Sequence, residues 1–426
     1  MQHCNEYETL SRRGMLTGGL RAVGRLLDVP QATAPGLEVT FADPHVGPRG
    51  DTLVCVFLRG GIDGLNVVVP YGDPTYYDAR PTLAINPPDR GTGAVDLDGF
   101  FGLHPSLEPL GAIYQAGSLA AVQATGSPDD SHSHFQAMAE MERASFGSGV
   151  YSGWLARHLA TLDTGNTSAL RALSIGEMLP ASLAGAGSAT VLRSIEAFRL
   201  RASDEDQEVL RDLLAFLYEG EANALGDAGR GTVETIRALE GIDTSTPPRG
   251  RAYPETVFGR AMQTAARLIR AEVGVEVACL DLGGWDTHAG QGGAEGYMAT
   301  RLAELANGLA AFYEDIEPLM GRVTVLVMSE FGRRVRENAA LGTDHGTGNM
   351  MLLMGNGING GQVYADWPTL HPDALTGPGD LTITTDYRDI LGEVISARLN
   401  NPRLADVFPE YTVAPRGVAR LSTQTP

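Results

Sequence analysis

Cysteine is scarce: three residues in 426, with no C-x-x-C pair and no spacing that suggests a disulfide framework. Cys4 falls in a segment that reads as a leader, while Cys55 and Cys279 sit inside apolar runs, as inert core thiols do. No stretch reaches the roughly 18 uninterrupted apolar residues that a membrane-spanning helix needs. Positive charge is also short. Thirty-two basic residues against 52 acidic ones give a formal charge of −20 and a pI near 4.8. That balance excludes a sequence-independent grip on nucleic acid, which depends on cations to neutralise phosphates. There is no internal repeat and no G-x-G-x-x-G dinucleotide signature.

What is present is enough to fold. With 43% hydrophobic and 20% charged residues, the chain can bury a sizeable core. Its length suits one large α/β domain with insertions. Near the N-terminus, Ser11-Arg12-Arg13-Gly14-Met15-Leu16 resembles a twin-arginine export motif. A weakly apolar stretch, Leu16 to Val29, follows it, and then Ala32-Thr33-Ala34, a small-x-small cleavage pattern. Arg21, Arg25 and Asp28 interrupt that stretch, so an amphipathic N-terminal helix is the competing reading. Export would place the protein in the periplasm or outside the cell; without it the chain stays in the cytoplasm. The expected organisation is a signal segment over 1–34, a linker over 35–50, one domain over 51–413 and a tail over 414–426. An insertion is expected at about 165–260.

Four continuous apolar runs read as buried central strands: Thr52–Leu58, Leu119–Ala124, Val275–Leu280 and Val323–Met328. Helical periodicity lies between and after them, at Ser106–Ala116, His134–Ala144, Asp204–Ala222, Ala261–Val273, Tyr297–Tyr313 and Tyr387–Leu399. Alternation of this kind predicts a doubly wound, mostly parallel sheet flanked by helices. Ligands bind beyond the carboxyl ends of such strands, so the residues that follow each run carry the functional question.

Those residues are chemically consistent. Asp63 follows the first run inside Gly60-Gly61-Ile62-Asp63-Gly64, where glycines permit a tight turn and a carboxylate can reach a cation; an ordinary turn aspartate is the plainer alternative. Ser127 through His134 follow the second run and precede a helix. Serine and aspartate there serve as caps, yet a serine at a helix N-terminus is also placed to attack a phosphate or sulfate. Asp286 and His288 follow the third run, and both suit Zn²⁺, Mn²⁺ or Fe. Ser329, Glu330 and Arg333 follow the fourth, and Asp344-His345 come soon after. Arg333 is either an oxyanion clamp or the partner of a nearby carboxylate. His104, His371 and Asp386 are weaker candidates, with Asp386 best read as a helix cap. His158 has no informative context.

Taken together, Leu58-Arg59-Gly60-Gly61-Ile62-Asp63-Gly64-Leu65-Asn66, Gly284-Trp285-Asp286-Thr287-His288, Ser329-Glu330-Phe331-Gly332-Arg333 and Thr343-Asp344-His345-Gly346 resemble the signatures of the domain-of-unknown-function family 1501 over roughly residues 50–400. The family is placed in the alkaline phosphatase-like superfamily, which includes sulfatases. The resemblance implies a metal site with Asp63, Asp286, His288, Glu330, Asp344 and His345 as candidate ligands. It implies Ser133 or Ser131 as the nucleophile, with His134 and Arg333 holding substrate. Phe331 stands where the superfamily has a metal-binding histidine, so one or two divalent ions (Zn, Mn, Mg or Ca) are expected. The implied function is exported metal-dependent hydrolysis or transfer of a phosphate or sulfate ester, on a small molecule or a polymer. A catalytically degenerate metal- or ligand-binding scaffold is the alternative.

Overall fold

Strand β1 (Thr52–Arg59) is buried along almost its whole length, and every neighbour in the sheet is organised around it. The computed structural model describes residues 51–198, 200, 204–219 and 224–422. The twin-arginine motif, its cleavage site and the linker over 35–50 lie outside the described residues.

Three short strands, β2 (Val68–Val69), β3 (Val95–Asp96) and β4 (Gly102–Leu103), form a small separate sheet. The main sheet takes β1 with β5 (Leu119–Gly126), β6 (Ala172–Ile175), β7 (Thr190–Leu192), β8 (Val277–Gly283), β9 (Val323–Met328), β10 (Asn349–Met354), β11 (Gln362–Tyr364) and β12 (Thr385–Asp386). Its order is β11-β5-β10-β9-β1-β8-β6-β7, with β12 also paired to β5. Strands β9, β1, β8, β6 and β7 run parallel to one another, while β10 is antiparallel to both β9 and β5. The fold is therefore a mixed, mostly parallel α/β sheet with helices on its faces.

The core follows from the sequence pattern. Parallel strands covered on both faces need continuous apolar runs, and two large buried clusters line the two faces of the sheet. One holds Val54, Val56 and Leu58 against the helices Val257–Arg270 and Tyr297–Asp315. The other holds Leu53, Cys55 and Phe57 against the helices Trp154–Thr161 and Tyr387–Glu393. Alternate side chains of β1 thus face opposite layers. Cys55 and Cys279 are adjacent in register, both buried and both unpaired, and burial pushes both thiols up.

Two stretches depart from expectation. The segment over 165–260 supplies β6 and β7 to the main sheet before the helix pair Asp204–Glu219 and Ala224–Glu240. The C-terminal stretch is tied down as far as 422. Main-chain N–H groups of Arg416, Gly417 and Ala419 donate to the buried Glu393, and Val418 is fully buried. A buried carboxylate needs donors, and here the tail provides them. Among the described residues no helix is long and apolar enough to cross a membrane.

Candidate metal centre

Three turns meet at the C-terminal end of the sheet. After β1, Gly60 and Gly61 both adopt positive φ (122° and 59°). A Cβ on Gly60 would lie 2.7 Å from the Asp286 nitrogen, so the turn can only approach the β8 loop because it has no side chain there. After β8, Trp285 is buried and its indole N–H donates to the Leu282 carbonyl at 2.7 Å, which anchors the Trp285–His288 turn. After β9, Ser329 accepts from the Ile62 N–H, and the Glu330 carboxylate accepts from the Gly60 N–H at 2.8 Å.

A histidine-rich cluster results. His134 opens the helix His134–Arg143, His288 lies on the β8 loop, and His345 follows the β9 loop. All three point toward Asp286: its Oδ1 is 3.3 Å from His134 Nε2, 3.1 Å from His288 Nε2 and 3.2 Å from His345 Nε2. His288 Nε2 and His345 Nε2 are 2.9 Å apart.

The far side of each ring is also occupied. His134 Nδ1 is 2.7 Å from Glu330 Oε1, His345 Nδ1 is 2.9 Å from the His132 carbonyl, and His288 Nδ1 is 3.3 Å from Asp344 Oδ1. Carbonyls and carboxylates only accept, so these contacts are made by the tautomer that carries its proton on Nδ1, the one a metal ligand needs. Each Nε2 then presents a lone pair to the common centre. His134 Nε2 is buried and has no hydrogen bond, and two accepting nitrogens face each other at 2.9 Å. Both features are unfavourable unless a proton or a cation lies between them.

That arrangement fits a metal. Backing a ligating imidazole with a carboxylate or carbonyl on its second nitrogen is the usual way proteins orient such ligands. With Zn–N near 2.0–2.1 Å, the edges of a tetrahedral site are about 3.3 Å, close to the separations found here. Three imidazoles and one carboxylate favour zinc or another transition metal over Mg²⁺ or Ca²⁺, which take oxygen ligands. Among the described residues, His134, Asp286 and His345 form a group whose donor atoms all lie within 4.8 Å of one another, and His288 adjoins it. The side chains of Asp286 and His288 are 48% and 45% exposed, so the centre opens to solvent.

Electrostatics support an ionised Asp286. Burial works against its charge, yet the Arg333 hydrogen bond, the His345 contact and the Arg333 charge hold its carboxyl well below the usual range. The hydrogen bond to Glu330 raises His134, whereas burial lowers His345. Glu330 is held low despite burial, by His134 and the Gly60 and Gly61 N–H groups. The Asn338 amide, and then His288, lower Asp344.

Other residues anticipated from the sequence sit outside the converging atoms. Asp63 is fully enclosed and forms a two-point ion pair with Arg80, at 2.5 and 2.9 Å, while Gln291 donates to it at 2.6 Å. Gln291 also accepts from Thr287 and Thr343, so Asp63 braces the loops that carry the cluster. Glu330 and Asp344 stand behind His134 and His288. Arg333 is buried, and its guanidinium is bonded to the carbonyls of Gly60, Gly61, Trp285 and Thr343 and to Asp286 at 2.8 Å. It orients Asp286 and leaves little for a substrate. Ser131 Oγ donates to Asp129 at 2.8 Å. Ser133 caps the helix His134–Arg143 without a side-chain cap bond, and it is exposed.

Phe331 is buried beneath the cluster, with its ring centroid 4.8 Å from both His134 and His345. An apolar floor therefore lies beneath the rings. His104 and His371 cap short helices through Nδ1, Asp386 caps the helix Tyr387–Glu393, and His158 is a core histidine that accepts from Asn401 at 3.0 Å. Two contributors carried no legible signal. They are His132, whose carbonyl holds His345, and Asp380, which fixes His132 Nε2 at 2.9 Å although 248 residues separate them. His132 sits at φ 51°, a left-handed conformation that the Asp380 contact helps maintain. The loop Ser127–His134 was marked only as a whole, by its place after a buried strand and before a helix.

Comparison with known proteins gives a family and distant structural likenesses. The chain is similar to a structure of the PH0037 protein from Pyrococcus horikoshii, at 12% identity over 84% of this chain and 98% of that one, with a TM-score of 0.33. It is similar to the PsFucS1 sulfatase from Pseudoalteromonas sp., at 13% identity over 87% and 74% of the two chains (TM-score 0.35). A third likeness is to Ps i-CgsB in complex with k-i-k-neocarrahexaose, at 12% identity over 89% and 75% (TM-score 0.34). No curated protein matches significantly. The model of a family described as "Protein of unknown function (DUF1501)" matches residues 51–388, and the chain belongs to that family.

Proposed function

We propose that the protein is a metal-dependent hydrolase or transferase of phosphate or sulfate esters, with His134, Asp286, His288 and His345 as the cation's ligands. The observation that carries this reading is the common polarity of the three imidazoles. Each Nδ1 is committed to an oxygen acceptor, and each Nε2 faces Asp286 Oδ1 within 3.3 Å. A bound cation would act as a Lewis acid on the ester's oxyanion. The openness of the centre suits catalysis better than a closed structural role.

The chain's own residues supply the rest. Ser133 is the better nucleophile of the two serines, because Ser131 Oγ is engaged by Asp129 whereas Ser133 is exposed and caps nothing through its side chain. Its place at the start of a ten-residue helix puts an incoming anion against free N–H groups and the positive end of the helix dipole. Glu330 and Asp344 keep His134 and His288 in the ligating tautomer, Arg333 holds Asp286, and Phe331 keeps water from beneath the rings. The leader motif makes an exported enzyme the natural setting. A non-catalytic metal-binding scaffold is the second reading, favoured by the absence of any hydrogen bond from Ser131 or Ser133 to the cluster among the described residues.

Hydrolysis of p-nitrophenyl phosphate and p-nitrophenyl sulfate by metal-loaded protein tests the choice. The hydrolase reading expects turnover that Ser133→Ala abolishes and Ser131→Ala spares. A loaded protein that turns over neither ester, or a Ser133→Ala variant with full activity, would favour the scaffold.

A further inference from the structure

We propose that Arg334 binds the anionic group of the substrate beside the metal centre; this assignment rests on the ester-hydrolase reading above. The chain contains no lysine, and all 32 of its basic residues are arginines. Any side-chain cation other than histidine that meets an anion is therefore a guanidinium.

Arg80 is committed to the buried Asp63, which leaves three arginines to compare beside the site. Arg59 is bonded to Glu142 at 3.0 Å and to Asp281 at 2.9 Å. Arg333 is buried and bonded to four carbonyls and to Asp286. Arg334 differs from both. Its backbone is fixed, since its N–H donates to the Asp344 carbonyl at 2.9 Å and its own carbonyl accepts from Arg80 at 3.0 Å. Its guanidinium Nε, by contrast, has no hydrogen bond. The group lies between two carboxylates at ion-pair distance only, with Nη1 4.0 Å from Asp344 Oδ2 and Nε 3.8 Å from Asp380 Oδ1. Arg334 Nε and Asp380 Oδ1 are both buried, and neither has a hydrogen bond.

A buried charged donor without an acceptor is costly. A guanidinium held by charge but without direct bonds can turn to a better acceptor, and the planar fork matches phosphate or sulfate in two-point geometry. Its position is suited to that use. Asp344 backs His288, and Asp380 holds His132, whose carbonyl backs His345. Arg334 thus sits between the two carboxylates that support His288 directly and His345 by way of His132, with 38% of its side chain exposed. Charge points the same way. A divalent cation with Arg333 and Arg334 just balances Asp286, Glu330, Asp344 and Asp380; without Arg334 the site carries one net negative charge and repels an anion.

The test uses metal-loaded protein and two titrations. Calorimetry with inorganic phosphate and inorganic sulfate gives anion affinity, and competition with a chromophoric chelator gives metal affinity. Arg334→Gln is expected to weaken anion binding at least about tenfold, the scale of one charged hydrogen bond, with metal affinity unchanged. Arg334→Lys is expected to recover part of it. Arg336→Gln, an exposed arginine two residues on, should bind as wild type does. Unchanged anion affinity in Arg334→Gln overturns the assignment alone. So does an equal loss in Arg336→Gln, which would mean a general charge effect. Parallel loss of metal affinity would make Arg334 a support for Asp344 and Asp380 and overturns it too. A loaded wild type that binds neither anion sinks this assignment together with the ester-hydrolase reading.

Discussion

Replacing Glu330 with glutamine removes one charge and almost nothing else. The carboxylate is buried and accepts from His134 Nδ1 at 2.7 Å, from the Gly60 N–H at 2.8 Å and from Ser329 Oγ at 2.9 Å. A glutamine carbonyl can keep the first two bonds. Its NH₂ can donate to Ser329 Oγ, whose hydroxyl has the Leu58 carbonyl as a second acceptor at 2.6 Å. The fold should survive. What is lost is the charge that makes His134 a stronger ligand and fixes its tautomer. Removing such supporting groups typically weakens metal binding 10–100-fold, or roughly 1.4–2.7 kcal/mol. Chelator competition on Glu330→Gln should show that loss, while far-UV circular dichroism and the melting temperature of the metal-free protein stay close to wild type. Unchanged metal affinity in the folded variant would refute the assignment of Glu330 as the group behind a ligating His134.

Other expectations separate supports from ligands. Asp63→Asn leaves the enclosed Arg80 without its counter-charge and should cost about 3–5 kcal/mol in denaturant unfolding, yet the folded fraction should bind metal in full; loss of metal with stability intact would make Asp63 a ligand. Gly61→Ala forces a side chain onto φ 59° and within 2.4 Å of the Phe331 ring, so stability and metal affinity should fall together, and an unaffected variant would show that the floor does not matter. His158 is pushed down to about 3, first by burial and then by Arg171. Its folded value lies below its unfolded one, so the unfolded chain binds the extra proton. The neutral ring's contribution is complete above about pH 6.5 and declines below it by up to about 1.4 kcal/mol per pH unit. His158→Gln should flatten that acid limb in melting experiments, and an identical pH profile would contradict this origin.

The strands were legible because each is a continuous apolar run closed by glycine or a polar residue, and the structure places β1, β5, β8 and β9 over those runs. Strands β6 and β7 were not, because runs of four and three residues carry too little pattern to separate from loop. At the site, Asp286, His288 and His345 could be named from their strand-end positions. The same logic placed Asp63 among candidate ligands, because a carboxylate after a buried strand looks alike whether its partner is a cation or an arginine. Arg80, 17 residues on, decides which, and nothing in its local sequence says so. His134 was expected to touch substrate, yet the Glu330 carboxylate, 196 residues away, turns its Nε2 into the cluster. Long-range pairings of this kind leave no trace in local periodicity, and they account for Asp380 as well.

The most direct test is the metal content of protein purified without chelator, measured by plasma mass spectrometry beside His288→Ala/His345→Ala and His134→Ala variants. A centre built from His134, Asp286, His288 and His345 should hold about one transition-metal ion per chain, lost from variants whose circular dichroism shows an intact fold. Wild-type protein that arrives empty, and stays empty after incubation with Zn²⁺, Mn²⁺ or Fe²⁺, would contradict it.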